Sequence, residues 1–214
     1  MAETPYFGQY FRFETEDKRK AADLLSTNNL VGDRYRVEFT EEDEGTKAWL
    51  VNRFDDRIGF LDGAGAYEAR LAIARGWTTI ALLSFVAYTQ NPEPGFYWGE
   101  VALIAYDPRY EDEMSVFLKA LADSMGNGVR PKIDFGQDAF NQIIETKGSW
   151  FPKNRVKMPE MEKGTAVVKD HRTANDHLIE QARKGNVGCY IGSWVFLLAA
   201  VAAILFGLHS CGVF

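Results

Sequence analysis

Apolar and polar positions change period several times along the chain, and each change marks a predicted element. Residues 8–13 alternate around Tyr10, Phe11 and Phe13 and predict a short edge strand. A helix follows to Leu25, with Thr15 placed to cap it and Glu16 and Asp17 in its first turn. Residues 31–39 alternate again, with Tyr35, Val37 and Phe39 on one face and Arg36 and Glu38 on the other. Residues 46–52 and 57–61 predict a tight hairpin about a turn at 53–56. Gly63 and Gly65 then break the pattern, and 67–75 reads as a helix ended by Gly76 in the left-handed C′ position. Two long strands, 77–89 and 96–106, flank the turn sequence Asn91-Pro92-Glu93-Pro94-Gly95.

The period then becomes helical. Glu111, Asp112 and Glu113 open a helix at its positive end, and Met114, Phe117, Leu118 and Leu121 form its apolar stripe. Residues 130–134 read as an extended link to a shorter helix over 137–147 with Phe140, Ile143 and Ile144 inward. Between 149 and 164 the pattern dissolves around Pro152 and Pro159, and this stretch reads as an irregular tether. A short strand at 165–168 and a polar helix over 170–184 complete the part before the end.

The end itself has no period at all. Residues 188–214 contain no Asp, Glu, Lys or Arg, and 194–208 are almost wholly apolar. A helix needs about 20 apolar residues to cross a bilayer core, so a transmembrane helix is expected over 188–210, with a short tail at 211–214. Arg183 and Lys184 precede it, and Tyr190 and Trp194 suit the entry interface. The positive-inside rule then keeps the N-terminal domain cytoplasmic and sends the C-terminus across, a tail-anchored arrangement. Ala199, Ala203 and Gly207 fall on one helix face as a small-residue series that permits close packing and a homo-oligomer. The lipid bilayer is thus one expected partner.

Fold class follows from the element order. The pattern predicts an α+β protein, a small antiparallel β-sheet or partly open barrel with flanking helices, plus one C-terminal transmembrane helix. The domains are 1–148 as a cytoplasmic α+β body, 149–187 as tether and polar juxtamembrane helix, and 188–210 as the span. Composition supports a packed body, with 46% hydrophobic and 14% aromatic residues among 214. The two cysteines, Cys189 and Cys211, both lie at the span, which leaves the body without a disulfide scaffold or a cysteine-based zinc site.

Charge sorts the partners. Residues 1–148 carry 16 basic and 25 acidic side chains, a net of −9, whereas 149–214 carry 8 and 5, a net of +3. An acidic body disfavours general nucleic-acid binding, which draws on clustered positive charge. The basic juxtamembrane stretch suits an anionic leaflet.

The order strand, hairpin, helix, long strand, turn, long strand resembles a HIRAN-type domain, a small β-rich fold of DNA-repair helicases and of stand-alone bacterial modules. The resemblance rests on Trp49-Leu50-Val51, on Arg57-Ile58-Gly59-Phe60-Leu61, on the helix ending at Gly76 and on the two long strands. It spans roughly residues 31–106. It implies binding of single-stranded DNA ends, and a groove for such a ligand would draw on Arg34, Arg36, Arg53 and Arg57.

Candidate chemistry is otherwise sparse. No phosphate-binding loop, dinucleotide glycine fingerprint, HExxH or Gly-x-Ser-x-Gly motif occurs. The histidines are His171, His177 and His209, none within 1–148, and the acidic runs 41–44 and 111–113 suit surfaces. No catalytic, cofactor-binding or metal-binding residue is therefore assigned, and no cofactor is expected. Aromatic side chains such as Trp98 are first a core signal, and where exposed they would serve a protein-binding groove beside the four arginines. The function expected is a membrane-tethered, non-enzymatic interaction or accessory domain with a protein partner at the cytoplasmic face. The alternatives are a single-stranded nucleic-acid-binding module or a membrane-associated enzyme.

Overall fold

Strand alternation does build a sheet here, and the sheet closes. The computed structural model describes residues 4–16, 18–42 and 45–183, together with Leu198. The strands are β1 (Tyr6–Glu14), β2 (Arg34–Glu42), β3 (Gly45–Val51), β4 (Arg57–Leu61), β5 (Thr78–Thr89), β6 (Phe96–Tyr106) and β7 (Thr165–Lys169). Neighbours run β2-β3-β4-β1-β6-β5-β7, all antiparallel, and β2 also pairs with β5. That last pairing joins Arg34 to Leu82 and Arg36 to Ile80 and makes a closed six-stranded barrel, where the pattern predicted a small antiparallel sheet or a partly open barrel. Closure removes the sheet edges that an open sheet would have to protect. Strand β7 lies outside the barrel, on the part of β5 from Val86 to Thr89 that β2 leaves free.

The helices are α1 (Lys18–Leu25), α2 (Gly63–Ala74), α3 (Glu111–Gly126), α4 (Gln137–Glu145) and α5 (Ala174–Arg183). The barrel interior takes alternate side chains from its strands, among them Phe13, Tyr35, Leu50, Leu83, Val101 and Leu103. Leu24 of α1 and Ala66 and Ala69 of α2 join that cluster. The opposite faces of β5 and β6, Leu82, Ala102, Ile104 and Tyr106, form a second core against Met114, Phe117 and Leu121 of α3 and Phe140 and Ile143 of α4. Helices α3 and α4 thus form one layer against the β1-β6-β5 side of the barrel.

Two local differences from the pattern have physical causes. Helix α2 starts at Gly63, not after Gly65, and Gly65 lies inside it where a Cβ would sit 3.2 Å from the Phe11 ring. That glycine permits close helix-to-strand approach and does not break the helix. Its other end is as expected: Gly76 has φ +73°, its N–H donates to Ile73 and that of Trp77 donates to Ala72. Thr15, expected as a helix cap, instead donates its hydroxyl to the Tyr97 carbonyl at 3.0 Å.

Residues through Arg172 form one compact unit and those from Thr173 onward another. Residues 149–164 have no regular element, yet the Lys132 N–H donates to the Asn154 carbonyl, Val156 to Arg130, and Gln90 to Gly164. In the second unit, Thr173 and Asp176 cap α5 reciprocally, Thr173 N–H to the Asp176 carboxylate at 2.9 Å and Asp176 N–H to the Thr173 hydroxyl at 3.3 Å. Arg183 sits in the last turn of α5. Among the described residues no helix is long and apolar enough to cross a membrane. The expected span over 188–210, with Tyr190, Trp194, Ala199, Ala203 and Gly207, lies outside the described residues apart from Leu198, and so does Lys184.

Candidate functional site

The outward face of β1 carries Tyr6, Gly8 and Tyr10, alternate residues of one strand. The Tyr6 hydroxyl donates to the Ile133 carbonyl at 2.9 Å, and Tyr10 donates to the Pro131 carbonyl at 2.8 Å. Residues 130–134 are therefore held extended along β1, with Pro131 and Ile133 buried against it. The alternation then leaves Lys132 and Asp134 exposed on the far side. Gly8 has to be glycine for this contact, since a Cβ there would lie 2.6 Å from the Ile133 carbonyl and 2.3 Å from the Tyr6 hydroxyl. Burial pushes the phenols of both tyrosines well above their ordinary pKa, so both remain donors at any physiological pH.

A buried ion pair anchors the start of this strap. Strand β5 bulges between Leu83 and Phe85, which frees Ser84 from the alternation. Arg130 donates Nε to the Ser84 hydroxyl at 3.2 Å and its terminal nitrogens to the Glu100 carboxylate and the Lys157 carbonyl. The guanidinium also lies 4.6 Å from the Tyr10 ring centroid. Arg130 and Glu100 are each 8% exposed. Burial raises the Glu100 pKa, and the charge and hydrogen bond of Arg130 only partly offset it.

Between the strap, α4 and residues 150–154 opens a cavity of 610 Å³. Its lining includes the aromatic Phe135, Trp150 and Phe151 and the polar Lys132, Asp134, Lys153 and Asn154. The Phe135 ring stacks on Tyr6 at 4.3 Å and meets Trp150 edge-on at 5.9 Å, which fixes these rings to the barrel. Pockets of about 300–1,000 Å³ with apolar walls and a few polar groups are the usual form of a small-ligand site.

The residues singled out from the sequence fall elsewhere. Arg34 and Arg53 line a smaller recess of 350 Å³ with Asp33, Tyr35 and Asn52. Arg36 pairs with Asp55 at 2.9 Å and Glu38 at 3.1 Å, and Arg57 lies 4.0 Å from Glu38 and over the Trp49 ring. The four arginines are thus divided, two at the recess and two among acids. Trp98 is 7% exposed, donates to the Thr89 hydroxyl at 2.9 Å and has Arg12 over its ring at 4.2 Å. His171 pairs with Asp170, and no group of metal-ligating side chains forms among the described residues. Sequence reading passed over Lys132, Trp150 and Lys153, although alternation in Arg130-Pro131-Lys132-Ile133-Asp134 was a visible signal for two outward side chains. In three comparisons with known proteins, no family model, curated protein or solved structure matches this chain.

Proposed function

We propose that this chain is a non-catalytic binding module tethered to a membrane by a single span over residues 188–210, with its barrel domain at the cytoplasmic face and a protein as its partner there. The observation that carries the reading is the run 188–214 without an acidic or basic side chain, preceded by Arg183 and Lys184. The self-contained packing of the unit ending at Arg172 supports it, because such a unit can work beside a bilayer without depending on the span. Ala199, Ala203 and Gly207 would allow two spans to pack closely. The test is extraction of native membranes with alkaline carbonate, followed by affinity capture from detergent. The chain should stay with the membrane pellet, a chain lacking 188–214 should not, and capture should recover a partner that a chain lacking 6–148 loses.

A second reading is single-stranded nucleic-acid binding at the recess between Arg34 and Arg53. The closed antiparallel barrel and the paired arginines favour it. Against it stands the acidic body, with Arg36 and Arg57 already beside carboxylates. A titration of the full chain with a single-stranded oligonucleotide at low salt decides it, since low salt strengthens phosphate contacts.

A further inference from the structure

The cavity beside the strap has a chemistry that neither the span nor the arginine recess uses. Two lysines line it from different segments, Lys132 from the strap and Lys153 from the chain after α4. Among the described residues neither ammonium has an ion-pair partner. Their positive charge is therefore free to meet an anion. The one carboxylate on the lining is Asp134. Aromatic rings line the same cavity, with Trp150 half-buried and held edge-on by Phe135.

Lysines and aromatic rings in one cavity suit a ligand with both an anionic and a flat aromatic end. We infer that this cavity binds a nucleoside phosphate. Its phosphate lies between the Lys132 and Lys153 ammonium groups, which donate charge-assisted hydrogen bonds. Its base packs on the Trp150 indole, as bases do on aromatic platforms. The Asp134 carboxylate accepts from a ribose hydroxyl or an exocyclic amino group, which keeps the lone acid of the site useful to an otherwise anionic ligand. A cavity of 610 Å³ is of the size that small-ligand sites have. The strap is fixed from behind by Tyr6, Tyr10 and the Glu100–Arg130 pair, so its part of the lining is set before a ligand arrives.

The inference is independent of the membrane reading, because detergent-solubilised full-length chain reports it whichever face the domain occupies. The measurement is equilibrium dialysis with radiolabelled AMP at low salt, with adenosine and inorganic phosphate as competitors. Saturable binding is expected, with each competitor weaker than AMP by about tenfold or more because each meets only the lysines or only the rings. The double variant Lys132→Ala/Lys153→Ala should bind AMP about tenfold or more weakly, while Lys119→Ala on α3 should bind as the parent does. Trp150→Leu should also weaken binding, and Trp150→Phe, which keeps a ring in the lining, should restore most of it. No saturable AMP binding would overturn the inference. So would retention of binding in the double lysine variant, or phosphate or adenosine competing as well as AMP.

Discussion

Gly8 sits where two hydrogen-bonded tyrosines leave room for a carbonyl and nothing more. Replacing it with alanine puts a methyl group inside contact distance of the Ile133 carbonyl and the Tyr6 hydroxyl. Overpacking of this kind costs about 1–3 kcal/mol, and Gly8→Ala should lose that much in urea unfolding. An unchanged midpoint would mean that the strap does not rest on β1. Glu100 supplies a second residue-scale test. Its carboxyl holds a proton to higher pH in the folded chain than in the unfolded one, because burial opposes the charge. A group shifted upward contributes most below its unfolded pKa, about 4.3, and that contribution falls as pH rises through the folded value. The stability of the parent relative to Glu100→Gln should therefore decline as pH rises from about 4.3. A relative stability that grows with pH would contradict the assignment. Removing the cation instead, by Arg130→Met, strands the carboxylate and should cost about 3–5 kcal/mol in the same assay.

At the scale of elements, residues 165–172 are bound to the rest of their unit by cations that reach backbone carbonyls. Lys169, the last residue of β7, donates its ammonium to the carbonyls of Leu24, Ser26 and Asn29 at 3.1, 3.0 and 2.8 Å. Leu24 and Leu25 end α1, so this cation sits where the helix leaves its carbonyls unpaired and its dipole negative. Arg172 donates to the Val31 carbonyl at 2.6 Å from a buried position. Lys169→Met should lose about 1.5–3 kcal/mol, as for hydrogen bonds to a charged group, while the exposed Lys163→Met should stay within about 0.5 kcal/mol. Equal melts for the two would remove Lys169 from the account.

Alternation made β2 to β6 readable, because each strand carries its own period and each turn its own glycine, proline or acid. Closure was not readable, since β2 and β5 pair over three residues separated by more than forty in sequence. The bulge at Ser84 was hidden for a related reason, in that an extra residue shifts the alternation only where a partner strand measures it. The cavity was least legible of all. It exists because 130–134 meets 150–154, and nothing local to either segment encodes that meeting.

For the whole molecule, the acidic body, the basic stretch after it and the uncharged run at 188–214 form one gradient along the chain. The uncharged run, with Arg183 and Lys184 before it, carries the proposal of a barrel domain held at the cytoplasmic face. The direct measurement is protease protection of the full chain in sealed vesicles of both orientations, with the barrel domain followed by antibody. With the cytoplasmic face outward, the barrel domain should be cut free while a short fragment containing 188–210 stays in the membrane, and in inverted vesicles the domain should be protected. Digestion of the domain only when the opposite face is outward, or release of the uncut chain with the soluble fraction, would contradict the account.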